Sequence, residues 1–67
     1  MPRKIKELIR DLEQADFRNI KTKGSHRKFV HPRYPGAVTL SGGEYDDAKH
    51  YQEKQVKQAI EAANERQ

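Results

Sequence analysis

Lys23-Gly24-Ser25-His26-Arg27-Lys28-Phe29 is the stretch whose reading decides the fold. A two-residue hairpin loop needs a residue that accepts positive φ, so Gly24-Ser25 between two strand-like runs reads as the turn of a β-hairpin. The returning strand starts at His26 and runs to His31, where Pro32 removes a ladder donor and ends it. Alternation puts Arg27, Phe29 and His31 on one face and His26, Lys28 and Val30 on the other. With Phe29 as the core anchor, His26 and Lys28 point away from the core together. With Val30 as the anchor, His26 falls on the core side at the strand's edge.

Working upstream, Phe17 to Thr22 reads as the first strand, with Phe17 and Ile20 as its apolar anchors. Before it, Ile5, Leu8, Ile9, Leu12 and Ala15 recur at helical spacing and predict an amphipathic helix over residues 3–15. Pro2 is tolerated at such a start, where its missing N–H costs nothing. Downstream, Tyr34-Pro35-Gly36-Ala37 matches a type II turn, and Ala37 to Leu40 a short third strand with Val38 and Leu40 toward the core. Ser41-Gly42-Gly43 interrupts regular structure and lacks the Lys-Ser/Thr ending of a phosphate-binding P-loop. Residues 44–52 show no clear period and read as a loop or the first turn of the last helix. Val56, Ala59, Ile60 and Ala63 predict that helix from about Glu53 to Asn64, with residues 65–67 fraying.

The order α-β-β-β-α predicts an α+β fold. It is a two-layer sandwich of a three-stranded antiparallel sheet with both helices on one face, formed by a single domain over residues 1–67. No repeat or linker divides the chain. A core this small leaves stability marginal. There is no cysteine to supply a disulfide or a thiolate zinc site, which fits a reducing cytoplasm. No apolar run approaches a membrane span, and the N-terminus lacks the apolar segment of a signal peptide. A cytoplasmic protein is expected.

Charge is uneven. Residues 1–33 hold ten cations and four acids, a net of +6; residues 34–67 hold four cations and six acids, a net of −2. The hairpin lies in the basic half, so an anionic partner should bind there. Lys21, Lys23, Arg27 and Lys28 surround His26. An imidazole, which titrates near neutrality, beside several cations suits chemistry on a phosphodiester. Asp46 and His50 share a helical spacing that could face one metal ion. Two ligands without a third make a weak site, and an acidic first turn complementing the helix dipole explains them better.

The element order, together with Gly24-Ser25-His26 followed by Phe29 and His31-Pro32, resembles the HicA family. These are toxins of bacterial toxin–antitoxin pairs, small mRNA interferases with a fold like that of double-stranded-RNA-binding domains. The resemblance covers nearly the whole chain. It implies that His26 is the catalytic residue, that mRNA is the substrate, and that a HicB-type antitoxin covers the His26 face. Lys21, Lys23, Ser25, Arg27 and Lys28 are the residues expected to hold RNA. The chemistry calls for no cofactor and no metal, because RNA carries its own nucleophile, the 2′-OH; DNA lacks it and should be neither cut nor directly bound. Tyr34 and Tyr45 are candidates for stacking on unpaired bases. The competing readings are a non-catalytic double-stranded-RNA-binding module and a pure interaction domain meeting an acidic protein. The first places lysines at the start of its last helix, where this chain has Glu53, Lys54 and Lys57.

Overall fold

The structure is a computed structural model and describes residues 3–65. The elements follow in the expected order: α1 (Ile5–Gln14), β1 (Arg18–Lys23), β2 (His26–His31), β3 (Tyr34–Leu40) and α2 (His50–Glu65). The strands form one antiparallel sheet in the order β1-β2-β3. Ile5, Leu8 and Leu12 of α1 and Val56, Ala59 and Ala63 of α2 are buried with Phe29, Val38 and Leu40 of the sheet. Both helices therefore cover one sheet face, and the opposite face is open.

Helix α1 ends where its chain turns left-handed. Asp16 has φ +69°; the Phe17 N–H donates to the Leu12 carbonyl at 2.9 Å and the Asp16 N–H to the Glu13 carbonyl at 3.1 Å. These are the two bonds of a Schellman motif, and its two flanking apolar residues, Phe17 and Leu12, are both buried in the core cluster. Phe17 thus belongs to the helix stop and not to β1, which begins at Arg18. Ile20 is likewise no core anchor. It falls in a β-bulge between Asn19 and Lys21 and is 57% exposed. The Asn19 side-chain oxygen holds the bulge by accepting the Lys21 N–H at 3.1 Å.

The expected type II turn at Tyr34-Pro35-Gly36-Ala37 does not form. Those residues open β3, and Gly36 is not among the glycines with positive φ. The chain reverses at Pro32-Arg33 instead, with His31 paired to Tyr34 and the Arg33 N–H donating to Nδ1 of His31 at 2.9 Å. A proline-led turn of this kind does not match the twist of a hairpin, and pairing is irregular between His31 and Phe29. Pro35 is tolerated because β3 is an edge strand.

Helix α2 starts at His50, earlier than its apolar stripe suggests. Gln52, 3% exposed, accepts the Lys49 N–H at 2.8 Å and donates to the Ser41 carbonyl at 3.1 Å, capping the helix and pinning the end of β3. The loop before it is also tied down. Carbonyls of Glu44 and Asp46 accept the N–H groups of Lys6 and Ile5, each at 2.9 Å, satisfying donors that a helix N-terminus leaves unpaired. Lys4 hydrogen-bonds and attracts Asp47, which raises the lysine pKa above its ordinary value. That contact is complete below the ordinary lysine range and is lost as pH rises through the raised value.

Candidate nucleic-acid interface

Gly24 has φ +58° and Ser25 does not share it, the pattern of a type II′ turn with glycine in its first central position. The turn sets the register on either side: Lys23 pairs with His26, and Lys21 with Lys28. Paired residues share a face and residues two apart along a strand share it too. Since Phe29 is buried on the helix side, Lys21, Lys23, His26 and Lys28 stand together on the open face, all exposed. Cross-strand neighbours have Cβ atoms about 4.5–5.5 Å apart. Thr39, opposite Lys28 on β3, and Arg18, beyond the bulge, extend the same face by register. Neither stands out in the sequence; only the register and the Asn19 bulge reveal them.

The face is electrostatically unfinished. Among the described residues the ion pairs are Arg3–Asp11, Lys4–Asp47 and Arg27–Glu44, so no carboxylate neutralises Lys21, Lys23 or Lys28. The His26 imidazole has no hydrogen-bond partner among the described residues. Ser25 sits exposed at the turn beside it. Like charges facing each other across a sheet destabilise it, so the Lys21–Lys28 pair favours an anion that separates them.

Arg27 goes elsewhere. It pairs with Leu40 on the helix-side face, its side chain 18% exposed. Nη1 donates to the Gly42 carbonyl at 3.3 Å, and Nη2 lies 3.9 Å from the Glu44 carboxylate. His31 is also on that side, its ring 5.0 Å from Phe17. Tyr34 packs on Phe17 at 5.8 Å between centroids, whereas Tyr45 is exposed beneath the Lys6 ammonium, 5.5 Å from its ring.

A cleft of about 850 Å³ lies at the other end of the sheet, lined by Glu13, Asp16, Arg18, His31 and Arg33 among others; His26 takes no part in it. The exposed histidine therefore stands on a face and not in a pocket. Such a surface suits a polymer laid across it better than a small molecule enclosed by it.

The family model of the HicA toxin of bacterial toxin–antitoxin systems matches residues 5–64. The chain belongs to the HicA family. No curated protein sequence matches it. Membership makes this HicA-family chain the toxin of a toxin–antitoxin pair, with an antitoxin as partner. The matched region runs from α1 through the His26 hairpin into α2. No described helix is long and apolar enough to cross a membrane.

Proposed function

We propose that this toxin is a metal-independent endoribonuclease that cuts mRNA in the cytoplasm, with His26 as general acid/base, and that a HicB-type antitoxin silences it by covering the same face. The observation that carries the reading is an exposed, unpartnered imidazole flanked by Lys21, Lys23 and Lys28 on an open sheet face.

The reaction needs little from the protein. His26 takes the proton of a ribose 2′-OH, the oxygen forms a bond to the adjacent phosphorus, and the bond from phosphorus to the 5′-oxygen breaks. The leaving oxygen receives a proton from the imidazolium, directly or through water. The products are a 2′,3′-cyclic phosphate and a 5′-hydroxyl. General acid–base help of this kind is worth about 10²–10⁴ in rate. Lys21, Lys23 and Lys28 hold the chain and offset charge building on the phosphorane-like transition state, and the Ser25 hydroxyl offers a further hydrogen bond to phosphate.

His26→Ala tests this. Cleavage of an RNA oligonucleotide should fall by about 10²–10⁴ while binding of the uncut oligonucleotide stays within a factor of two or three. Cleavage that persists in the variant would end the catalytic assignment. A wild type that binds RNA and never cuts it would favour a binding module.

A further inference from the structure

We propose that Arg27 is a positioning residue: its guanidinium anchors the His26 hairpin to the β3–α2 loop and so fixes where the imidazole stands, instead of gripping phosphate. The catalytic consequence rests on the ribonuclease reading; the anchoring does not.

Strand β1 buries no residue from Arg18 to Lys23, and the first buried residue of β2 is Phe29. The segment that carries His26 therefore lies at the edge of the core, one residue beyond the pairing of Arg27 with the buried Leu40, and contributes no apolar anchor of its own. Hairpin strands held by ladders alone are only marginally ordered. Arg27 is next to His26 in the chain and faces the opposite way, toward the Gly42 carbonyl and Glu44. Other side-chain bonds in this segment, such as Asn19 to Thr22 at 2.8 Å, stay within β1.

What Arg27 holds on to is itself fixed. The Glu44 and Asp46 carbonyls are bound by the first turn of α1, and the Asp46 carboxylate accepts the Gly43 N–H at 2.8 Å. Gly42, at φ +110°, occupies backbone space that L side chains rarely adopt, which lets its carbonyl turn toward the guanidinium. A continuous set of contacts thus runs from the N-terminus of α1, through the loop, to the residue beside His26. A guanidinium committed on the helix side is poorly placed for a phosphate on the open side, where the lysines stand. A misplacement of about 1 Å at a reacting group can cost on the order of 10²-fold in rate, so a small release of this anchor should register in kcat.

Arg27→Met keeps the aliphatic stem and removes every donor; Arg27→Lys returns one. Amide hydrogen exchange, steady-state cleavage, and the salt dependence of RNA binding in a His26→Ala background read the outcome. With Arg27→Met, exchange over Lys23–Lys28 should quicken at least about 10-fold while Leu12 and Val56 stay protected. The kcat should fall about 10- to 100-fold with KM and the salt slope unchanged, and Arg27→Lys should recover part of both losses. A raised KM, an intact kcat and a salt slope shallower by about 0.7 would make Arg27 a phosphate ligand and overturn the proposal. So would unchanged hairpin exchange with wild-type kcat. If the wild type cuts no RNA, the ribonuclease reading falls and the exchange measurement alone decides the anchoring. If Arg27→Met unfolds, the same criteria apply to Arg27→Lys.

Discussion

Lys21 and Lys28 face each other across the hairpin with no acid to separate them. Such a pair costs roughly 0.2–1 kcal/mol, a cost that makes sense only if something anionic comes between. Lys28→Thr should therefore pull in two directions. The folded protein should gain a few tenths of a kcal/mol, seen as a higher midpoint in urea. RNA binding should weaken, and the slope of log K against log salt should become shallower by about 0.7. A variant that binds RNA as tightly as the wild type would remove Lys28 from the interface. The placement of His26 was legible because it depends on two local facts, the glycine turn and the parity of Phe29. The face of Arg27 was legible by the same parity, but what it bonds to was not. Its partners are Gly42 and Glu44, and no local pattern in a strand tells a cation facing water from one bonded to a loop far along the chain.

Among the elements, the helix stop at Asp16 is the most exposed to test. A left-handed L-residue carries a penalty of roughly 1–2 kcal/mol, less for Asp than for most, and an acid at a helix C-terminus also meets the negative end of the dipole. Asp16→Gly should stabilise the fold by about 1 kcal/mol, raising Tm by about 4–8 °C in a domain of this size. An unchanged or lower Tm would mean that the Asp16 side chain has a role of its own. Gly24→Ala should do the reverse. An added Cβ meets no atom within 4 Å, so the cost is conformational alone, about 1–2 kcal/mol, and should appear as local hairpin opening in hydrogen exchange. The elements that were hard to read failed for two reasons, one local and one tertiary. Pro35-Gly36 has the chemistry of a turn, but Pro32-Arg33 took the reversal once the His31 ring could accept the Arg33 N–H. The start of α2 was hidden because its cap, Gln52, bonds to the Ser41 carbonyl across the fold.

At the scale of the molecule, both helices lie on one side, so the small core and the basic face are separated by the sheet itself. Stability of roughly 0.05–0.15 kcal/mol per residue leaves a chain of 67 residues about 3–10 kcal/mol in total. Leu12→Ala, which opens a cavity where the fully buried Leu12 side chain of α1 meets the core, should cost about 2–5 kcal/mol and bring the free protein close to unfolding at 37 °C. A partner that binds only the folded state would counter this by RT ln(1 + [L]/Kd), about 2.7 kcal/mol at a hundredfold excess over Kd. The cognate antitoxin should therefore restore Leu12→Ala to a cooperative transition, whichever surface it covers. Where it binds is a separate question, and the two-sided architecture lets one experiment answer it. If the antitoxin lies on the sheet face, it should raise Tm and displace RNA from His26→Ala protein with the same concentration dependence, and shield the hairpin amides from exchange. If it lies against the helices, Tm should rise just as far while RNA stays bound. That second outcome would leave the toxin silenced by some route other than cover over His26.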